Sequence, residues 1–395
     1  METLSPAPSA EERSLLERTA ALIVNYNTGD VLLRCLRMLR PTRPGLEAIV
    51  VDNGSTDGVI ETSGPEFGAT TVVEAGRNLG FGRGINLAAR QTERDYLLIL
   101  NPDCFIEPDS IARMAAALSR DPNLGFVGPR IDLESGRPDH ACLRNDPDPL
   151  GALIYFSRLP RLFPGRPGFN RYSLAHADYD AEQELRAGTA ACLLIRASAF
   201  RAIDGFDEAF FMYGEDLDLC RRLWDVGRPG RYVPSARALH LKGEASRKQS
   251  GRMLVEFHRA MWTYYRKHEQ PHHVPPVNWV VAAGITALAG VRLAVNAARK
   301  CPAGRHRCSR CSRSPGHQPV AGLGADPVAH PSPPDRAFTR VANARGGACR
   351  ASVRAGYCAG SRAQGFGAFD LRAERASSDR AGEGSPPKYP KRNSR

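Results

Sequence analysis

Asp95-Tyr96-Leu97-Leu98-Ile99-Leu100-Asn101-Pro102-Asp103 is the stretch on which the fold turns. Five apolar or aromatic residues run straight into a polar triplet that ends in a carboxylate. A run that short and that apolar predicts a strand buried on both faces, as in a parallel sheet. Pro102 lacks the N–H that would continue a ladder, so the strand stops there. Asp103 is thereby delivered to the carboxyl end of a central strand, where open α/β sheets place their ligands. A carboxylate at that point suits a divalent cation holding phosphates. Its other reading is a cap for the helix starting near Pro108, or a turn.

Similar units lie upstream. Ala20 to Val24 reads as a buried strand ending at Asn25-Tyr26-Asn27, followed by a helix with Val31, Leu32, Cys35, Leu36 and Leu39 at helical spacing and with Pro41 and Pro44 beyond it. Leu46 to Val51 runs into Asp52-Asn53-Gly54-Ser55-Thr56-Asp57-Gly58, dense in turn formers. Thr70 to Glu74 is a third strand, followed by Gly76-Arg77-Asn78-Leu79-Gly80-Phe81-Gly82-Arg83-Gly84 and a helix through Arg90. Strand, helix, strand, helix with polar loops at the strands' carboxyl ends predicts a doubly wound, nucleotide-binding α/β layout. Gly80-Phe81-Gly82-Arg83-Gly84 superficially resembles a dinucleotide loop. That fingerprint should follow the first strand, and here it follows the third, so a dehydrogenase is rejected.

Residues 134–180, rich in Pro, Arg, Asp and Gly, read as an irregular acceptor-side segment. Order returns with a strand at Ala190 to Ile195, a short helix at Ser198 to Ile203, and a helix over Asp216 to Trp224. Short strands are expected at Arg231 to Val233 and Ala238 to His240, and an amphipathic helix over 248–268. Val274 to Val291 offers eighteen residues without a charge, with Asn278 inside and Arg292, Arg299 and Lys300 at its end. A helix over 274–299 lying on a membrane surface, and one packed on the domain, both fit.

Charge is unevenly spread. Lys300 onward holds 18 of the 54 basic and 6 of the 42 acidic residues, leaving residues 1–299 formally neutral. The net charge of +12 therefore belongs to the tail, and the body has no nucleic-acid footprint. The 300–395 tail has the composition of a disordered segment. Its Cys308-Ser309-Arg310-Cys311 has zinc-ligand spacing, but Cys349 and Cys358 supply no matching second pair. Cys35, Cys104, Cys142, Cys192 and Cys220 stand singly and read as small core residues of a reducing compartment. Residues 1–19 read as a dispensable polar leader with no apolar signal region, which suggests a cytoplasmic location.

The motifs Val24-Asn25-Tyr26-Asn27, Asp52-Asn53-Gly54-Ser55-Thr56-Asp57-Gly58, Asn78-Leu79-Gly80-Phe81-Gly82, Leu100-Asn101-Pro102-Asp103 and Gly214-Glu215-Asp216-Leu217-Asp218-Leu219 come in an order that resembles the family-2 glycosyltransferases of the GT-A fold. Within them the chain is most similar to rhamnosyltransferases of cell-wall and O-antigen assembly, over roughly residues 20–270. The resemblance implies a mostly parallel central sheet with helices on both faces. It implies a nucleotide-sugar-binding half over 20–130 and an acceptor and catalytic half over 131–270. It also implies inverting transfer from a nucleotide-diphospho-sugar, favouring dTDP-rhamnose, to a lipid-linked saccharide at the cytoplasmic face of the membrane, with Mg²⁺ or Mn²⁺. UDP-N-acetylglucosamine and UDP-galactofuranose are alternative donors, and a silent nucleotide-sugar-binding protein is an alternative of another class.

On that resemblance Asp103 and His240 hold the metal, and Asn101, replacing the first acidic residue of the usual Asp-X-Asp triplet, bonds ribose or phosphate. Lys242 could bind the diphosphate. Asp52 reads the base or ribose, with Asn25, Tyr26 and Asn53 nearby. The Gly80 and Gly82 loop lets the backbone approach the donor, with Arg77, Asn78 and Asn86 in reach. Asp216 is the base that takes the acceptor proton, with Glu215 beside it, and Asp218 binds the acceptor or a backbone group.

Overall fold

The computed structural model describes residues 8–39, 45–62, 70–149, 171–174, 176–241 and 251–300, with positions 151, 154, 166 and 168. Pro41, Pro44, Lys242 and the tail from 301, for which expectations were stated above, lie outside the described residues.

Helix α1 (Ala10–Glu17) is capped reciprocally: Glu12 N–H donates to Ser9 Oγ and Ser9 N–H donates to the Glu12 carboxylate. Leu15 and Leu16 are buried in the core, so the second half of the expected leader is structural. Two leucines among glutamates and arginines are too small a stripe to stand out in sequence.

Strand β1 (Thr19–Asn25) is buried at every position. It is followed by α2 (Asp30–Leu39), β2 (Glu47–Asp52), α3 (Val59–Thr62), β3 (Thr71–Glu74), α4 (Phe81–Ala89) and β4 (Tyr96–Leu100), also wholly buried. β5 (Cys104–Ile106), α5 (Pro108–Arg120) and β6 (Phe126–Leu133) come next. The later half adds β7 (Gln183–Leu185), β8 (Cys192–Arg196), α6 (Ala197–Ala202), α7 (Glu215–Asp225), β9 (Gly230–His240), α8 (Gly251–Tyr264) and α9 (Pro275–Lys300).

One sheet runs in the order β3-β2-β1-β4-β8-β6-β9-β5, with β7 also paired to β9. β3, β2, β1 and β4 are mutually parallel, and β8 runs antiparallel to both β4 and β6. The doubly wound, GT-A-type α/β class is as expected. β5, β6 and β7 were not anticipated, because the first and last are three residues long and β6 carries Gly128, Pro129 and Arg130.

The two short strands expected around Pro234 are one strand. Its register against β6 jumps from Pro129↔Val233 to Arg130↔Arg237, so residues 234–236 leave the ladder and Pro234 needs no donor there. Downstream, α8 passes through a π turn (Tyr265–Glu269) before α9. α9 packs against α8, and Asn278, the polar residue in its apolar run, accepts from the Tyr265 hydroxyl. Cys35, Cys104, Cys142, Cys192 and Cys220 are buried free thiols.

Candidate active site

Adjacent parallel strands bring Asn25 and Asp52 into register at their carboxyl ends. Asn25 Nδ2 donates to Asp52 Oδ1 at 2.8 Å and to Ser55 Oγ at 3.0 Å. Asp52 Oδ2 accepts from the N–H groups of Gly54 and Ser55, and Ser55 Oγ donates to Oδ1 at 2.6 Å. Asp52 is therefore first the keystone of its own turn, fully hydrogen-bonded as a buried carboxylate must be. Tyr26 is 49 % exposed beside this turn, and Arg77 is exposed with its backbone against Gly54.

The glycine loop faces protein rather than open space. Gly80 sits at φ +89, and a Cβ there would lie 2.4 Å from Phe211 O. Phe81 N–H donates to that same carbonyl, Asn53 Nδ2 donates to Gly80 O, and Asn78 Oδ1 accepts from Gly80 N–H. A Cβ on Gly82 would meet Phe206 Cβ at 3.0 Å. Asn86 donates to Phe206 O and accepts from Phe206 N–H, both at 2.9 Å. Gly80, Gly82 and Asn86, expected near the donor, make protein contacts on this face. They clamp the start of α4 to residues 205–211, the segment leading into α7.

Asp103 and His240 meet because β5 pairs antiparallel with the end of β9, Cys104 opposite His240, and Leu241 N–H donates to Asp103 O. Both side chains are buried, with His240 Nε2 3.5 Å from Asp103 Oδ1 and Nδ1 3.3 Å from Asp139 Oδ2. Burial alone would lower the imidazole's pKa, but the two carboxylates outweigh it and raise it to about 10. A carboxylate and an imidazole side by side, with a second carboxylate on the far ring nitrogen, is the donor set of a metal-binding histidine with its outer partner. Among the described residues no group of three or more such side chains surrounds one point. The pair therefore fits a cation that draws its remaining ligands from phosphate oxygens and water. Asn101, two residues before Asp103, donates its backbone N–H to Ala191 O at 2.9 Å, and its side chain is half-buried.

Asp139 escaped the sequence reading. It lies in the aperiodic segment, where its Oδ1 also accepts from Ala141 N–H. So did Arg144, whose backbone exchanges two hydrogen bonds with Ala187.

Glu215 and Asp216 open α7 after Gly214, which adopts φ +76. Asp216 Oδ2 accepts from Arg144 Nη2 at 2.7 Å, and Oδ1 accepts from Leu217 N–H at 2.8 Å. Arg144 also donates to Gly188 O and the Tyr172 hydroxyl. Glu215 is 7 % exposed, and its Oε2 has no partner among the described residues. Burial first, and the Asp216 charge second, push its carboxyl up to about 8. Burial thus disfavours charge on Glu215, while Asp216 beside it is paired with a guanidinium, two environments that suit different acid–base roles. The loop 187–191 joins this pair to the Asp103–His240 corner: Gly188 holds Arg144, and Ala191 holds Asn101.

Asp218 does not reach an acceptor. It is fully buried, 2.7 Å from Arg222 Nε and His268 Nε2 and 2.8 Å from Lys267 Nζ, tying α7 to the C-terminal helices.

Residues 20–173 match the family described as Glycosyl transferase family 2. N-acetylglucosaminyl-diphospho-decaprenol L-rhamnosyltransferase of Mycobacterium tuberculosis is 28% identical over 274 residues, 66% of this chain and 88% of that protein. Rhamnosyltransferase WbbL of Escherichia coli is 26% identical over 234 residues, 55% of this chain and 81% of that one. A mannosyltransferase from Pyrobaculum calidifontis, solved with GDP-Man and Mn²⁺, aligns with a TM-score of 0.45 at 17% identity, covering 71% of this chain and 80% of that chain. The family match and the relatives agree with the sheet and its strand-end motifs: residues 20–173 carry a family-2 glycosyltransferase match on a GT-A-type sheet, and the chain is similar to the rhamnosyltransferases.

Proposed function

We propose that this glycosyltransferase moves L-rhamnose from dTDP-rhamnose to a lipid-linked N-acetylglucosaminyl diphosphate, with inversion at the anomeric carbon. The observation that carries the mechanism is the Arg144–Asp216 ion pair beside buried Glu215 at the start of α7, joined through the 187–191 loop to a buried Asp103–His240 corner. The donor and acceptor rest on similarity to the mycobacterial rhamnosyltransferase across most of its length.

In this reading Tyr26 stacks on the base and Arg77 meets phosphate, while Asn25, Asn53 and Asn78 hold the Asp52 turn and glycine loop in shape. Asp103 and His240 would hold Mg²⁺ or Mn²⁺, with Asn101 bonding ribose or phosphate. Bound there, the cation would neutralise charge on the departing diphosphate. The acceptor oxygen forms the new C–O bond as the bond to diphosphate breaks on the opposite face, and Asp216 takes the proton. Arg144 holds Asp216 in place, and the burial of Glu215 disfavours a second negative charge beside it.

The exposed Trp279 and Val280 on α9, a helix whose Pro275–Ala298 span is long and apolar enough to cross a bilayer, support a membrane surface as partner. We place that surface on the cytoplasmic side, where nucleotide-sugars are made. A donor panel of dTDP-rhamnose, UDP-N-acetylglucosamine and UDP-galactofuranose, each with and without chelator and read as nucleoside diphosphate release, tests the reading. The expected result is release from dTDP-rhamnose, lost on chelation and restored by Mg²⁺ or Mn²⁺. Release from another donor would move the specificity. Binding without turnover of any donor would make the protein a silent binder.

A further inference from the structure

One short stretch serves both ends of the candidate site. Residues 139–144 begin with Asp139, against His240, and end with Arg144, against Asp216. The chain reaches that place by a tight return from β6: Leu133 N–H donates to Arg137 O, and Asp139 N–H donates back to Ile131 O. Asp139 then caps the single turn that follows, accepting from Ala141 N–H on Oδ1 and from Cys142 N–H on its carbonyl. Cys142 and Leu143 are buried in the core, and the Arg144 backbone is bonded to Ala187. The stretch is pinned at both ends, so Asp139 is held against His240 rather than following it.

Asp139 is 3 % exposed, and its Oδ2 lies 3.3 Å from His240 Nδ1. His240 meets Asp103 with its other nitrogen, Nε2, at 3.5 Å. An imidazole offers a lone pair to a cation from one nitrogen while the other keeps its proton. The hydrogen bond made by the second nitrogen decides which is which. A carboxylate only accepts, so Oδ2 selects a proton on Nδ1. Nε2 is then the nitrogen open to a cation, and it is the one beside Asp103.

We propose that Asp139 is a positioning residue for the cation: it fixes the His240 ring and the proton on Nδ1, so that Nε2 and Asp103 serve one ion. This rests on the reading above, in which Asp103 and His240 hold the metal, and adds a residue that none of the motifs contains.

The test titrates the full chain with Mn²⁺ alone, free ion being measured by electron paramagnetic resonance. Asp139→Asn keeps the size and an acceptor for Ala141, but turns an amide N–H toward Nδ1 and so favours the proton on Nε2. Mn²⁺ affinity should fall by about tenfold or more. Arg144→Lys, at the other end of the same stretch, should leave Mn²⁺ affinity unchanged. Equal losses in the two variants would mark a general loosening of the stretch and overturn the proposal, as would unchanged affinity in Asp139→Asn. A second measurement needs no variant: ¹⁵N NMR of the Mg²⁺-loaded wild type should show His240 with hydrogen on Nδ1 and none on Nε2. Hydrogen on Nε2 would refute the assignment. Wild type binding Mn²⁺ no better than Asp103→Ala would sink the metal reading and the proposal with it. Binding lost in Asp139→Asn, in a protein that transfers nothing from dTDP-rhamnose, would uphold the proposal and sink the donor assignment.

Discussion

Glu215→Gln isolates the physics of the carboxylate pair. Glu215 is buried with one oxygen unpartnered, and its carboxyl is raised from 4.5 to about 8. Between those two pH values the native chain keeps a proton that the unfolded chain releases, so stability falls as pH rises across that window. At ~1.4 kcal/mol per pH unit the loss is on the order of 3–5 kcal/mol, complete near pH 8. Glutamine copies the neutral acid's shape and cannot ionise, so it removes the loss. Urea unfolding from pH 5 to 9 measures it. At pH 5 the variant should match wild type within about 1 kcal/mol, and by pH 8.5 it should exceed it by roughly 3 kcal/mol or more. Parallel pH curves for the two proteins would refute the reasoning, because Glu215 would then be titrating as an exposed glutamate does.

Other outcomes follow from named contacts. Arg144→Met leaves the Asp216 carboxylate without its cation at a site where both side chains are nearly buried. Unfolding free energy should drop by about 3–5 kcal/mol. Arg144→Lys, which keeps the charge but not the bonds to Gly188 and Tyr172, should recover part of it in the same assay. Gly80→Ala combines φ +89 with a Cβ 2.4 Å from Phe211 O, and should lower stability by about 2–4 kcal/mol by thermal or urea unfolding. Trp279→Glu, which replaces a side chain 72 % exposed on α9, should weaken flotation with anionic lipid vesicles while leaving the unfolding midpoint unchanged.

What could be seen in advance follows a physical divide. Buried strands that end in polar turns announce themselves, because apolar runs and turn formers are local signals. β1, β2 and β4 and the positions of Asp52 and Asp103 were therefore legible. α7 was legible from its apolar stripe and its paired acids. β6 was not, since Gly128, Pro129 and Arg130 interrupt it and only its neighbours make it a strand. Asp139 and Arg144 sit on aperiodic chain, and their roles exist only through partners about a hundred and about seventy residues away, His240 and Asp216. At the glycine loop the sequence showed that the backbone comes too close at Gly80 for a Cβ, but not that Phe211 is the backbone it packs against. Asp218 was expected to bind the acceptor or a backbone group, and only the C-terminal segment reveals its partners Lys267 and His268.

The central claim is that Asp216 strips the acceptor's proton while Asp103 and His240 serve the diphosphate. Nucleoside diphosphate release from dTDP-rhamnose, with the lipid acceptor present, tests it in Asp216→Asn and Asp103→Ala. The account predicts losses of at least ~10²–10³ in both, about 3–4 kcal/mol of barrier, with donor affinity kept in Asp216→Asn and reduced in Asp103→Ala. Near-normal release by Asp216→Asn would contradict it.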